Sequence, residues 1–174
     1  MKILAISGSG RKESTNTALL KTAAKIAGPD HSVSVFSDIS ELPVFSPDAE
    51  EYPLPRPVQA FCTLIEESDG LIISSPEYVR AIPGGLKNAI DWLVAREEII
   101  EKPIALMHAS HRGEDMLEQL RLVLSTVSNG FTPNIFLRFA LMKLSPDEIH
   151  QEIMTPPNRQ KVNDFLRDFT RCIK

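Results

Sequence analysis

A polar loop follows the first apolar run of the chain and has the composition of an anion-binding site. The run KILAI is followed directly by the stretch SGSGRKESTN. If a helix begins where this stretch ends, its first backbone N–H groups and the positive end of its dipole favour an anion there. The side chains add hydroxyl, amide and guanidinium donors, which belong to Ser9, Arg11, Ser14, Thr15 and Asn16. Together these donors predict a site for a phosphate monoester.

Helix capping is the simpler interpretation of this loop, but it explains only one of the polar residues. A serine or threonine in front of a helix commonly accepts a hydrogen bond from a backbone N–H of the first turn, and Ser14 or Thr15 would do so here. Two better-known phosphate loops are excluded. A Walker A loop requires glycine and lysine at residues 13–14, and the G-x-G-x-x-G fingerprint requires a glycine in place of Glu13.

A second polar stretch, SSPEYVRAIPGGLKNAIDWL, follows a later apolar run and combines turn residues with aromatic ones. Pro76 and Tyr78 end that run in a rigid turn, and residues 83–85 form another turn before a helix. A rigid backbone with exposed N–H groups suits the edge of a flat heteroaromatic ligand. The alternative is that Tyr78 and Trp92 are ordinary core or interface aromatics, and this stretch alone does not name a ligand.

Strands and helices alternate along the chain, which predicts the scaffold that carries both stretches. Helices with apolar residues at helical spacing separate the strands, the first over residues 15–27. Such an order predicts an α/β fold with a parallel sheet covered by helices on both sides, whose ligands bind beyond the carboxyl ends of the strands. The segment 38–57, rich in proline and acid, is predicted to be irregular. The predicted strands lie at residues 2–6, 33–36, 70–74, 103–107 and 135–141.

Composition and charge narrow the class of protein. A chain of 174 residues, 43% hydrophobic and 24% charged, fits one domain over residues 1–174. Its net charge of −4 argues against a nucleic-acid partner, and no apolar run is long enough to predict a membrane segment. The first strand begins at once, so no secretory signal is expected and a cytoplasmic location is predicted. Cys62 and Cys172 form no Cys-x-x-Cys pair and are expected to be buried or half-buried thiols, and no metal site is predicted.

The two polar stretches together resemble a known family, the NADPH-dependent FMN reductases. This flavodoxin-like group includes quinone, chromate and azo-dye reductases. Its first signature, approximately G-S-x-R-x-x-S-x-N, is matched at every fixed position by Gly8, Ser9, Arg11, Ser14 and Asn16. Its second, approximately P-E-Y-N-x-S-x-P-G-x-L-K-N-A-x-D-W, is matched by Pro76, Glu77, Tyr78, Pro83, Gly84, Leu86, Lys87, Asn88, Ala89, Asp91 and Trp92. The resemblance covers roughly residues 1–130.

The resemblance implies a fold, a cofactor and a reaction. The fold would be a flavodoxin-like three-layer α/β/α sandwich whose five parallel strands have the order 2-1-3-4-5. The protein would pass hydride from NADPH or NADH to bound FMN and on to a small-molecule electron acceptor such as free flavin or a quinone. Family members are commonly homodimers or homotetramers, and no side chain is assigned as a catalytic acid or base.

The resemblance also assigns roles to particular residues. The FMN phosphate would be bound by Ser9, Arg11, Ser14, Thr15 and Asn16. The isoalloxazine ring would be lined by Pro76, Glu77, Tyr78 and Val79, partly through backbone groups, and flanked from the other side by Ser110.

This sequence departs from the family in both loops near the expected ring. Val79 and Ala81 replace an asparagine and a serine, so two polar groups near the flavin are lost. Arg80, between them, is either a contact for an anionic nicotinamide phosphate or acidic substrate, or a solvated loop residue. In place of a glycine-rich turn the chain has HASHRG at residues 108–113. His108 is interpreted as structural, and His111 and Arg112 could crowd the edge of the ring or contact its carbonyls.

Two alternative functions remain open from the sequence. One is a flavodoxin-like electron carrier that docks on a protein partner, although flavodoxins favour a first loop without Arg11. The other is a flavin-binding module without nicotinamide turnover, which the loss of polar groups at Val79 and Ala81 suggests.

Overall fold

Five parallel strands form one sheet in the computed structural model, which describes residues 1–50 and 53–173. The strands are β1 (Lys2–Ser7), β2 (Ser32–Phe36), β3 (Gly70–Ser74), β4 (Ile104–His108) and β5 (Phe131–Arg138). Their order is β2-β1-β3-β4-β5. The α/β class and the strand order expected from the family are therefore confirmed.

Helices cover both faces of this sheet. They are α1 (Thr15–Ala27), α2 (Arg56–Glu66), α3 (Gly84–Asp91), α4 (Glu114–Val127), α5 (Pro146–Met154) and α6 (Pro156–Thr170). Successive side chains of a strand point to opposite faces. In β3, Leu71 and Ile73 accordingly pack with α2, α3 and α4, whereas Ile72 packs with α1, α5 and α6. The two resulting cores hold the strand ends in place and leave the loops at the carboxyl edge free to form a site.

The predicted strand boundaries differ from the structure by one residue in β1, β2 and β4 and by more in β5. β5 spans Phe131–Arg138 rather than residues 135–141, so both of its predicted ends were wrong. A proline at position 133 obscured the start of β5 in the sequence. A strand at the edge of a sheet tolerates proline because the N–H groups on its outer side have no neighbouring strand to bond. Within residues 1–50 and 53–173, β5 pairs only with β4.

The segment 38–57 contains more regular structure than its composition predicts. Two short 3₁₀ helices, Ile39–Glu41 and Pro47–Glu50, lie in it, whereas Glu51 and Tyr52 lie outside the described residues. Asn88 and Trp92 of the second signature hold this segment. The Asn88 side chain bonds the Phe45 N–H and the Pro43 carbonyl, and the Trp92 indole N–H donates to the same carbonyl at 2.7 Å.

The two cysteines differ in exposure. Cys62 is buried in α2, and burial raises the pKa of its thiol to about 11, which keeps it protonated and unreactive at neutral pH. Cys172 follows α6 and is exposed, so the expectation of a buried or half-buried thiol was wrong there. None of the helices within residues 1–50 and 53–173 combines the length and apolarity needed to cross a bilayer.

Candidate functional site

A cavity of about 250 Å³ opens at the carboxyl edge of the sheet, beyond the ends of β1, β3 and β4. β2 lies beside β1 in one direction along the sheet, and β3 lies beside β1 in the other direction. The cavity therefore lies at the switch point of a doubly wound sheet. It is lined by Thr15, Asn16, Ser75, Pro76, Glu77, His108, Ala109, Ser110, Arg112, Gly113 and Met142.

The first loop, residues 8–14, is shaped by its own hydroxyl groups. Ser14 caps α1, because its side chain accepts the Thr17 N–H at 3.2 Å. Ser9 is buried and its hydroxyl accepts the Arg11 N–H. The capping interpretation thus holds for Ser14, and both serines shape the loop rather than line the cavity.

Thr15 and Asn16 are the members of the first signature that reach the cavity. Asn16 is buried, and its side-chain carbonyl accepts a hydrogen bond of 2.8 Å from the Ser74 hydroxyl at the end of β3. Its N–H₂ group has no hydrogen-bond partner among the residues that the structure describes, so it remains for a ligand. The first helical turn of α1 adds backbone N–H groups that have no partner inside the helix. Arg11 is exposed beside them and makes no ion pair with a residue that the structure describes.

Gly8 permits a close approach between the first loop and its neighbours. A Cβ at this position would lie 2.8 Å from both the Leu86 side chain and the Ser75 hydroxyl. The Gly8 N–H also donates to the Ser74 carbonyl at 2.8 Å. A larger residue would therefore not fit at this position of the first signature. The close contact and the hydrogen bond of Gly8 tie the first loop to the loop that follows β3.

The β3 turn, residues 78–81, closes on itself through two backbone hydrogen bonds between Tyr78 and Ala81. Its central residues, Val79 and Arg80, have φ of 52° and 59°, as in mirror-image turns that favour glycine or asparagine. A β-branched residue in this region is strained. The Val79 side chain is 99% exposed and Tyr78 is half exposed, and neither lines the cavity.

Helix α4 holds the β3 turn from outside. Gln119 donates to the Arg80 carbonyl at 2.9 Å, and Arg80 is paired with Asp115. The hydrogen bond from Arg80 lowers the pKa of the Asp115 carboxyl below its ordinary value. One residue before the turn, the Glu77 carboxylate accepts the Met116 N–H at 3.0 Å. Arg80 is thus exposed but already matched by a carboxylate.

The β4 loop, residues 109–113, is held from inside by His108. This buried histidine donates from Nε2 to the Arg112 carbonyl, as a structural histidine would. Burial lowers the pKa of His108, against the opposing effect of that hydrogen bond, so the ring is neutral at pH 7. The Ser110 hydroxyl accepts the Arg112 N–H at 3.0 Å and contacts the Met142 sulfur at 3.0 Å.

Some of the residues that line this cavity were predicted from the sequence, and others were not. Thr15, Asn16, Pro76, Glu77 and Ser110 were predicted site residues and do come together. Ser9, Arg11, Ser14, Tyr78 and Val79 lie around the cavity without lining it. Met142 was not anticipated. The predicted strand end at residue 141 was wrong, because β5 ends at Arg138, but even that prediction placed position 142 just beyond the carboxyl edge of the sheet.

Comparison with known proteins identifies close sequence relatives. A family model described as NADPH-dependent FMN reductase matches residues 1–138. A quinone reductase from Escherichia coli K12 is 34% identical over 113 residues, which are 63% of this chain and 60% of that protein. A 2-hydroxy-1,4-benzoquinone reductase from a Burkholderia species is 42% identical over 92 residues, 53% of this chain and 49% of that protein. The matches thus span between half and three fifths of these relatives.

Solved structures show the same fold over nearly the whole chain. The flavoenzyme NAD(P)H:(acceptor) oxidoreductase FerB of Paracoccus denitrificans superimposes with a TM-score of 0.74. The superposition covers 98% of this chain and 97% of that one, at 22% sequence identity. At that identity the likeness shows the fold alone.

Proposed function

The chain belongs to the NADPH-dependent FMN reductase family, and we propose that it binds FMN and acts as an NAD(P)H-dependent oxidoreductase on small electrophiles. Free flavin and quinones are the acceptors that we propose. The observation that carries this proposal is the cavity itself, which joins the anion-binding start of α1 to the two loops beyond β3 and β4.

The phosphate of FMN would be held at the α1 end of the cavity. The first-turn N–H groups and the Asn16 amide are neutral donors there, and the exposed Arg11 guanidinium adds a charged one. Ser9 and Ser14 would act indirectly, because their hydroxyls fix the backbone whose N–H groups face the phosphate. Thr15 is the hydroxyl of the set that lines the cavity.

The isoalloxazine ring would lie between the β3 turn and the β4 loop. Pro76 and Glu77 line the cavity on one side and Ser110 on the other. Tyr78 and Val79 would contribute through backbone groups, since the Val79 side chain points to solvent. Because both loops are held by hydrogen bonds within the protein, they are preorganised for a flat ligand.

The reaction consumes one reduced nicotinamide, one proton and one acceptor, and gives the oxidised nicotinamide and an acceptor reduced by two electrons. FMN, when bound, supplies the redox centre for this exchange. The protein's part is to bind and orient the reactants and to limit access of water. No side chain is assigned as an acid or base, and His108 is unsuited because its Nε2 proton is committed to the Arg112 carbonyl.

Further properties of the whole protein belong to the same proposal. We propose that residues 1–174 form one domain and that the protein associates as a homodimer or homotetramer. Light scattering measures the oligomeric state. The free Cys62 and Cys172 suit the reducing cytoplasm as the location. Titration of the protein with NADPH and with NADH measures which of the two nicotinamides it prefers.

The proposal is tested by FMN uptake and by anaerobic reduction. Purified protein should bind FMN, and NADPH or NADH should bleach the flavin absorbance within seconds. Binding without bleaching would instead support an electron carrier or a flavin-binding module. A protein that takes up no FMN would contradict the proposal altogether.

Substitution of the phosphate donors tests where the cofactor binds. The double variant Arg11→Ala and Asn16→Ala should weaken FMN binding at least about tenfold, because charge-assisted hydrogen bonds are lost. Arg159→Ala removes the same charge from the exposed surface of α6 and should leave the affinity unchanged. Undiminished FMN affinity in the double variant would place the phosphate elsewhere.

A further inference from the structure

Three arginines surround the loops beyond β3 and β4, and they differ in how their charge is matched. Arg80 is paired with Asp115, and Arg138 is paired with Glu114 at 2.6 Å. These pairs occupy the two acidic residues of the first turn of α4, which are the carboxylates next in sequence to Arg112.

Arg112 lines the cavity and forms no ion pair with the part of the chain that the structure describes. The cavity contains one carboxylate side chain, that of Glu77, which accepts the Met116 N–H at the start of α4. The cavity histidine, His108, is neutral because burial lowers its pKa. Among the described residues that line the cavity, the exposed guanidinium of Arg112 is therefore the cation that is left for a ligand.

Hydrogen bonds of its N–H and its carbonyl fix the backbone of Arg112, and they therefore fix the point from which its side chain extends. Its N–H donates to the Ser110 hydroxyl, and its carbonyl accepts the His108 ring N–H. Gly113 follows with φ of 105°, and a Cβ there would lie 2.9 Å from His108 Nε2, so the loop packs directly on the histidine. The side chain is exposed although its anchor is rigid, as expected of a residue that meets an incoming molecule.

We propose that Arg112 determines acceptor specificity by binding the negative charge of an anionic aromatic electron acceptor, such as an ionised hydroxyquinone. This inference rests on the proposed function and adds a substrate class to it. The flat ring of such an acceptor would lie at the mouth of the cavity, whose interior the FMN ring would occupy, and its oxyanion or carboxylate would meet the guanidinium there. Arg80, whose place in the sequence also suits an anionic ligand, is already matched by Asp115.

The 2′-phosphate of NADPH is the competing source of negative charge. It lies on the adenosine half of the dinucleotide, far from the reacting ring, whereas Arg112 lies in the cavity with Pro76 and Ser110. This position favours the acceptor. Comparison of NADPH with NADH separates the two sources.

Equilibrium binding tests the inference without turnover. Benzoate and benzamide are similar in shape and differ in charge, and both are titrated into the FMN-loaded protein, whose phosphate site is filled, by difference absorbance. The wild type should prefer benzoate, and Arg112→Gln should reduce that preference about five- to tenfold, since a charge-assisted hydrogen bond is lost. Arg112→Lys should keep part of it, and the matched control Arg159→Gln should keep all of it.

Steady-state kinetics provides the second readout. With Arg112→Gln, kcat/KM should fall about five- to tenfold more for a hydroxyquinone than for an unsubstituted quinone, while the ratio between NADPH and NADH stays constant. An unchanged acceptor ratio, or a change confined to the ratio between NADPH and NADH, would overturn the inference. So would a benzoate preference that survives Arg112→Gln.

Failure of this inference is distinguishable from failure of the proposed function. A variant that binds FMN and is bleached by NADPH, yet keeps the acceptor and benzoate preferences of the wild type, contradicts the role of Arg112 alone. A wild-type protein that takes up no FMN contradicts the proposed function and, with it, a role in acceptor choice.

Discussion

The β3 turn and the β4 loop flank the same cavity, but they are held in opposite ways. The β3 turn places Val79 and Arg80 at positive φ without a glycine, and side chains of α4 hold it from outside. The β4 loop places its positive φ on Gly113, and His108 holds it from beneath. One loop therefore depends on tertiary contacts, whereas the other depends on a compatible residue and a buried ring.

This difference predicts which substitutions each loop tolerates. A strained turn that is held by contacts should gain stability from a residue that fits its backbone better. A loop that already carries the fitting residue should lose stability on almost any replacement of it. Substitutions in both loops test this contrast.

Gly113→Ala should have the largest effect. A side chain at φ of 105° is strained, and its Cβ would meet His108 Nε2 at 2.9 Å, so we expect the free energy of unfolding to fall by about 2–3 kcal/mol. Urea unfolding measures it. Gly84→Ala is the control, because a Cβ there has open space and the position begins a helix. Combination with His108→Ala should recover the steric part of the loss, and full additivity would contradict the contact.

Val79→Asn should stabilise the protein by about 1 kcal/mol, because asparagine adopts positive φ more readily than a β-branched residue. The side chain is 99% exposed, so no packing is lost. The matched control is Val44→Asn, which is 86% exposed and is not among the described positions with positive φ. An equal stabilisation in both variants would mean that replacing an exposed apolar side chain by a polar one, and not the relief of backbone strain, is responsible.

Gln119→Ala should loosen the β3 turn with a loss of only about 0.5 kcal/mol, since a single exposed hydrogen bond to the Arg80 carbonyl is removed. Hydrogen exchange of the Ala81 N–H, which donates to Tyr78 within the turn, should become faster. Glu118→Ala is the control on the exposed surface of the same helix. Exchange that is equally fast in the wild type would show that α4 does not hold the turn.

The smallest effect should be a dependence of stability on His108 protonation. Burial lowers the pKa of His108 below its ordinary 6.5, so between the lowered value and 6.5 the unfolded chain binds a proton that the folded protein does not. The free energy of unfolding should therefore decrease as pH falls through this window. His108→Asn should make the decrease shallower, whereas His111→Asn, in the β4 loop, serves as control. An identical slope in wild type and His108→Asn would contradict a buried neutral ring.

Local patterns along the chain predicted the fold and one half of the site. Alternating apolar runs and helical stripes follow from burial, so they revealed the parallel sheet and the helices that cover it. The start of α1 was also predictable from the sequence, because serine is a common helix cap and Ser14 directly precedes Thr15 and Asn16. Both features depend on neighbours in sequence.

The rest of the site depends on contacts between distant segments, which a single sequence does not display. The pairing of Arg80 with Asp115 spans 35 residues, and the contact between Ser110 and Met142 spans 32. Asn88 belongs to a signature that resembles a binding motif, yet it holds the segment around Phe45. A match to a family signature therefore does not say what each residue does. The structure is needed to distinguish residues that contact a ligand from residues that hold the fold.

Trp92 gives this protein a built-in optical probe. It is the one tryptophan of the chain, fully enclosed, with Phe45 edge-on at 5.2 Å and its indole N–H held by the Pro43 carbonyl. Detachment of the segment around Pro43 would hydrate the indole and shift its fluorescence to longer wavelength. The wavelength of tryptophan emission can thus report the opening of that segment in the FMN-free protein.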